Sequence, residues 1–271
     1  MCFHREVDDS TSGWSRRRRG GVALGAAVLV VALVGAAIVV TRDDGAAPIV
    51  AAPTTTTSTT IPPTTTTEPP TDVPPVTLLA SPNGEIPAFD GPNGAQIDTV
   101  GLWYGYPMTM PILEERGDWL RIMMPERPNM LTAWVKADSV TRSTSPWRMV
   151  LTLSETRVRV YKDGFEVWTA PVGIGKDSTR TPTGSYYVAV VEQPGPAGYG
   201  PVVVNLNAHS EDIESWQGSG DAITAFHGPF GSEELIRAGG GKVSNGCLRM
   251  LPEDQLKMAP ITVGTPVDIV A

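Results

Sequence analysis

The sequence predicts a mainly β protein: a small β barrel followed by a larger, mainly β domain with short helices, both behind an N-terminal transmembrane helix. Three observations predict this. An uncharged run, Gly20 to Val40, follows Arg16 to Arg19 directly. A Thr/Pro-rich stretch then separates that run from the rest of the chain. Beyond it, short alternating apolar segments are broken repeatedly by Gly, Pro and Asn, which is how strands and turns read.

The apolar run has 21 residues, which at ~1.5 Å per residue crosses a ~30 Å hydrocarbon core. It exceeds the roughly 7 to 15 apolar residues of a signal peptide, and no clear A-x-A site closes it, so retention as an anchor is expected. Four arginines precede the span, whereas Arg42 after it is neutralised by Asp43 and Asp44. The positive flank predicts a cytoplasmic N-terminus. The expected order is a tail over 1–19, a span over 20–41, a linker over 42–76 and an exported remainder in the cell-wall space. From Gly45 to Val76 the composition falls to Thr, Pro and Ala, which cannot form a core. In polyproline II form, at ~3.1 Å per residue, such a spacer reaches on the order of 90 Å.

Residues 1–42 carry six basic and three acidic side chains, so of the total charge of −8 they hold +3 and the remainder holds −11. An acidic body argues against a nucleic-acid partner. The two cysteines, Cys2 and Cys247, fall on opposite sides of the expected membrane, which excludes a disulfide between them. Cys2 lacks the apolar, small-residue context of a lipid-attachment site. Cys247 is left as a lone exported thiol, either a buried inert residue or a reactive one.

The segment 77–143 carries strand signals at Ile86–Phe89, Met108–Ile112, Trp119–Met123 and Ala133–Lys136, with turns such as Pro92-Asn93-Gly94 between them. The succession Gly117-Asp118-Trp119-Leu120-Arg121-Ile122, a turn, then Ala133-Trp134-Val135 resembles the bacterial SH3-like domain; a different small β fold stays open. No side chain in this segment suggests chemistry. In 147–271 the expected strands are Met149–Leu153, Thr156–Tyr161, Glu166–Val172, Ser185–Val191, Val202–Asn207, Ala222–His227 and Pro266–Val270, with Asp163-Gly164 as a hairpin turn. Two short helices are expected, one from Ser232 ending at Gly239 and one over Pro252–Met258. In the second, Pro opens the helix and Glu253 and Asp254 suit its positive end.

Only three histidines occur, His4, His209 and His227, and His4 is cytoplasmic by the expected topology. One Cys and two His without clustered spacing do not make a zinc site, so neither metal nor cofactor is expected. No Gly-x-Ser-x-Gly elbow occurs in a strand-to-helix setting. A Cys-His pair is the economical reading. His227 ends the apolar strand Ala222–Phe226 and precedes Gly228-Pro229; Cys247 follows 20 residues later, after a helix and the loop Gly239-Gly240-Gly241. Those glycines let the chain fold back toward His227. A neighbouring imidazole lowers a thiol pKa from ~8.5 and supplies thiolate. His209 is read as a groove residue or a structural one, and Tyr199 and Trp216 as aromatic packing beside a Gly-rich stretch.

The run Ser244-Asn245-Gly246-Cys247-Leu248-Arg249-Met250, preceded by His227-Gly228, resembles the signature of the L,D-transpeptidase (YkuD-type) catalytic domain. The resemblance covers 147–271, with Gly173-x-Gly175, Thr181-Pro182-Thr183-Gly184 and Val263-Gly264-Thr265-Pro266-Val267 in order. The family often has His where Asn245 stands, and Asn cannot act as a base near neutral pH. The resemblance implies a peptidoglycan enzyme in which Cys247 attacks a tetrapeptide donor stem. D-alanine is then expelled, and an amine on a second stem resolves the thioester. It implies His227 as base and acid, its other nitrogen oriented by a carbonyl such as that of Gly228. Backbone N–H groups around Gly246 and Cys247 would form an oxyanion hole, with Arg249, Asn245 and Ser244 at the substrate. Ser244 would act by fixing the loop. Acylation of the same thiol by carbapenem-type inhibitors is expected, because their activated carbonyl traps the nucleophile. Two rival readings stay open: an L,D-carboxypeptidase, in which water resolves the same acyl-enzyme, and a non-catalytic wall-binding protein.

Overall fold

The structure, a computed structural model, describes residues 73–216 and 218–271. The expected membrane span, and the Thr/Pro linker up to residue 72, lie outside the described residues. Among the described residues no helix is long and apolar enough to cross a membrane.

The first sheet is built from strands β1 (Thr77–Pro82), β2 (Ile86–Phe89), β3 (Gln96–Val100), β6 (Met110–Arg116), β7 (Trp119–Met123), β8 (Thr132–Lys136) and β9 (Val140–Ser145). A small hairpin, β4 (Leu102–Trp103) and β5 (Tyr106–Pro107), projects from it. The sheet order is β3-β2-β8-β7-β6-β1-β9. Period-two alternation sorts the side chains of the central strands. Leu120, Ile122, Ala133 and Val135 turn inward with Ala88 and Met110 and are buried. On the other face, the Phe89 and Trp119 rings meet edge to face at 5.2 Å, and the Lys136 ammonium caps Trp119 at 4.0 Å. The strands β3 and β9 went unpredicted because their side chains are mostly polar and exposed, so no apolar alternation marks them.

The second sheet has ten strands. They are β10 (Trp147–Thr152), β11 (Arg157–Lys162), β12 (Phe165–Pro171), β13 (Gly173–Gly175), β14 (Gly184–Glu192), β15 (Val203–His209), β16 (Ile223–His227), β17 (Gly241–Ser244), β18 (Leu248–Arg249) and β19 (Pro266–Val270). Their order is β12-β11-β10-β19-β14-β15-β16-β18-β13-β17. The β11–β12 turn is Asp163-Gly164, with φ of 53° and 84°, the two positive values that a type I′ hairpin requires. Among the described residues two α-helices are present, α1 (Glu233–Arg237) and α2 (Pro252–Lys257), each with acidic residues in its first turn and a basic one in its last.

Strands β15 and β16 are buried at every residue, and β14 is buried from Tyr186 to Val190. Strands covered on both faces read as continuous apolar runs. Tyr186 and Val188 enter the core of the second sheet with Leu151, Leu206, Phe226 and Leu248. Their neighbours Tyr187 and Ala189, with Ile223 of β16, enter the core of the first sheet. The two sheets therefore share β14 and β16 as a common wall.

Candidate active site

A cavity of about 190 Å³ opens where β16 and β18 lie side by side. The two strands pair in parallel, Phe226 with Leu248 and His227 with Arg249, which brings His227 and Cys247 to the lining of one cavity. The fold-back between them runs through Gly239, Gly240 and Gly241, all at positive φ. A Cβ on Gly240 would fall 2.4 Å from the Val172 carbonyl oxygen, so only glycine fits that turn.

His227 is buried, and its Nδ1 lies 2.8 Å from the Gly228 carbonyl oxygen. A carbonyl only accepts, so Nδ1 carries the hydrogen and Nε2 is the unprotonated nitrogen. Tyr199 and Phe230 meet the imidazole edge to face at 5.3 and 5.0 Å. Burial pushes the His227 pKa from 6.5 down to about 4; the Gly228 carbonyl opposes that shift and the Arg249 charge adds to it. The ring is thus neutral near pH 7. Its cover is held by α2, where Gln255 Nε2 donates to the carbonyls of Tyr199 at 3.0 Å and Val202 at 2.7 Å.

Cys247 is partly buried, and its thiol donates to the Ile223 carbonyl at 3.6 Å. The loop before it is tied from within and from behind. Ser244 Oγ donates to the Cys247 carbonyl at 2.5 Å and accepts from the Gly246 N–H at 3.1 Å. Ser244 therefore fixes the loop, and the Gly246 N–H, expected as an oxyanion donor, is already engaged. Gly246 sits at φ +116°, a conformation that favours glycine. From behind, buried Thr181 accepts from the Gly175 N–H and donates to the Gly246 carbonyl, both at 2.9 Å. This is the local purpose of the Gly173-x-Gly175 and Thr181-Pro182 motifs.

Arg249 Nη1 donates to Ser232 Oγ at 2.9 Å, and its guanidinium lies over the Phe230 ring at 5.7 Å. Its Nε is buried without a hydrogen-bond partner. Burial lowers its pKa, and a guanidinium at the cavity lining suits an anionic acceptor. Asn245 is exposed at the cavity lining. Among the described residues no group of three or more His, Cys, Asp or Glu is placed to hold a metal ion.

His209 stands apart from the cavity lining. It is buried, with Nδ1 2.8 Å from Asp221 Oδ2 and Nε2 2.6 Å from the Pro125 carbonyl, so both ring nitrogens are occupied. The structural alternative holds for it. Tyr199 and Trp216 both line the cavity, as do Ser210 and Ile213, which sequence reasoning passed over. The segment 77–143 also departs from expectation: its Arg127 donates to Asp221 and to the carbonyls of Ser210 and Ile213. A lone Arg before Pro carries no local signal for contacts made over 80 residues away.

Fold and site together define a β-sheet domain with a cysteine and a neutral histidine presented to one cleft, the equipment of a cysteine acyltransferase. The model of the L,D-transpeptidase catalytic domain, YkuD, matches residues 146–269. The curated protein named "Putative L,D-transpeptidase YkuD" from Bacillus licheniformis is 32% identical over 128 residues, covering 46% of this chain and 67% of that protein. The chain belongs to the YkuD-type L,D-transpeptidase family. Among solved structures, an L,D-transpeptidase from Mycobacterium smegmatis is similar at 16% identity and a TM-score of 0.36, over 56% of this chain and 90% of that one. L,D-transpeptidase 3 from Mycobacterium tuberculosis, solved with a faropenem-derived adduct, is similar at 18% identity and a TM-score of 0.37, over 54% and 76%.

Proposed function

We propose that this chain is an extracytoplasmic peptidoglycan L,D-transpeptidase with Cys247 as nucleophile and His227 as general base and acid. The observation that carries the reading is the lining shared by His227, at the end of β16, and Cys247, just before its partner strand β18, with the His227 Nδ1–H held by Gly228. Nε2 of the neutral ring takes the thiol proton as Sγ attacks the carbonyl at the L-centre of a tetrapeptide donor stem. The Sγ–C bond forms, the C–N bond to the terminal D-alanine breaks, and the imidazolium returns its proton to the leaving amine. An amine on a second stem then attacks the thioester, giving its proton to His227 while the thiol is regenerated. Because the Gly246 N–H is engaged by Ser244, the oxyanion role falls to the Cys247 N–H. Arg249, whose side chain lines the cavity, takes a stem carboxylate, and Asn245 lines the approach without serving as a base.

The span over 20–41 anchors the protein with its N-terminus in the cytoplasm, and the linker over 42–76 holds an SH3-like domain and the catalytic domain among the wall polymer. Protease added to wall-stripped cells then removes residues 77–271 while a cytoplasmic control survives; protection of the folded part beside a digested periplasmic control contradicts this topology. For the activity, the fragment from residue 77 is incubated with tetrapeptide stems and an acceptor amine, and the products are weighed. Cross-linked product that depends on Cys247 is expected, whereas tripeptide alone would mean that water resolves the thioester.

A further inference from the structure

We propose that the N-terminal β domain is part of the substrate site, with Arg127 as a positioning residue that holds Ser210–Trp216 as one wall of the Cys247 cavity. The inference rests on the acyl-transfer reading above, and it adds a role that the catalytic domain alone does not hold. Ser210, Ile213 and Trp216 line the cavity together with Arg249 and Phe230, yet the segment that bears them belongs to no strand or helix. Something outside the backbone ladders has to set its shape. The Arg127 guanidinium does so with one planar fork. Its Nη1 donates to the Ser210 carbonyl at 2.9 Å and its Nη2 to the Ile213 carbonyl at 3.2 Å. Nε and Nη2 grip Asp221 Oδ1 at 3.1 and 2.9 Å.

Asp221 is the anchor of this arrangement. It receives His209 Nδ1 at 2.8 Å and the Tyr104 hydroxyl at 3.3 Å on Oδ2, and its Oδ1 accepts the Ala222 N–H at 2.7 Å. Burial works against its ionisation, but the bonds from His209, Ala222 and Arg127 hold its pKa at about 2. The Ser210 N–H donates to the Ala222 carbonyl at 2.8 Å, which closes the neck of the segment just before β16. On its other side, Asp212 is bound by the backbone N–H and the guanidinium of Arg180, the residue before Thr181 that ties down the Cys247 loop. Arg127 thus completes, from the other domain, a wall whose second support is wired to the nucleophile loop. The fork matters: a lysine carries the charge but cannot reach two carbonyls and a carboxylate at once.

The test measures acylation of Cys247 by imipenem across concentrations, using the whole exported part from residue 77. Arg127→Ala is expected to raise the apparent KM ~10- to 100-fold, because a displaced wall removes binding contacts without touching the reacting groups. The saturating rate and its pH dependence should stay near wild type, because Cys247 and His227 are untouched. Arg127→Lys should fall between the two. Asn129→Ala removes two different bonds between the domains, its Nδ2 donating to the His209 carbonyl and its Oδ1 accepting the His209 N–H, both at 2.8 Å, and should lower Tm while leaving KM unchanged. Hydrogen exchange at 210–216 should quicken in Arg127→Ala alone, a readout that needs no reaction and so separates this inference from the activity. If Arg127→Ala does not fold, Arg127→Lys carries the same comparison. A folded Arg127 variant with wild-type KM overturns the proposal, as does an Asn129→Ala KM raised as far as that of Arg127→Ala.

Discussion

The two described histidines are both buried and each closes a strand, yet their surroundings give them opposite uses. His209 ends β15 with both nitrogens occupied, one by the Asp221 carboxylate and one by the Pro125 carbonyl. His227 ends β16 with Nδ1 held by Gly228 while the ring faces a cavity that also holds Cys247. A histidine with two fixed partners is a strut between domains. One with a single partner and an open side is the candidate base. What separates them is the second nitrogen, which no local sequence pattern records.

The largest effect should come from exchanging the two sites. His227→Gln is expected to lower Cys247 acylation ~10²- to 10⁴-fold, the usual contribution of general acid–base assistance, with the fold intact by circular dichroism. His209→Gln should cost about 1–3 kcal/mol of stability in a denaturant melt, since it leaves buried hydrogen-bond partners unsatisfied, while a folded fraction keeps its saturating acylation rate. If the two substitutions trade these phenotypes, the assignment is reversed.

Their pH windows sharpen the contrast. The folded pKa of His227 is depressed from 6.5 to about 4, so the unfolded chain binds the proton first as pH falls. Its contribution, on the order of 3 kcal/mol, is fully present above pH 6.5 and is lost between 6.5 and 4. Asp221 is depressed from 3.8 to about 2, so the stability it brings to the His209 site is present above 3.8 and lost only below it. Wild-type stability should therefore fall in two stages, and His227→Gln should remove the upper one. A single stage in wild type, unchanged in the variant, would contradict the burial of a neutral ring.

Much of the His227 site was legible in sequence. A strand ending in His-Gly, a glycine turn and a Gly-Cys pair are local features, and the Gly228 carbonyl was the nearest acceptor for Nδ1. The sharing of β14 and β16 between two cores was legible only in outline, as apolar runs without alternation. Arg127 and Pro125 were not legible, because their partners lie in residues 209–221 and residues 125–128 themselves form no periodic or repeated pattern. The engagement of the Gly246 N–H by Ser244 depended on a side-chain rotation that a motif does not encode.

Smaller effects should follow from the loop between the two sites. Thr181→Val keeps the shape but removes bonds to Gly175 and Gly246, and should cost about 1–3 kcal/mol in a thermal melt with a slower adduct. An unchanged melt would mean that Thr181 does not brace the nucleophile loop. Asn245→Ala, at an exposed position, should stay within about 0.5 kcal/mol of wild type and keep a measurable fraction of its acylation. Loss as deep as that of His227→Gln would make Asn245 part of the proton relay.

The most direct measurement is a pH series of imipenem adduct formation on wild type and His227→Ala, read by intact mass with Cys247→Ala as the blank. Wild type should keep its rate well below pH 6.5 and lose it as the pH falls through about 4, where His227 takes up a proton. His227→Ala should be slow at pH 7 and gain steadily toward ~8.5, where an unassisted thiol ionises. A folded His227→Ala protein that acylates at the wild-type rate at neutral pH would contradict the Cys247–His227 pair.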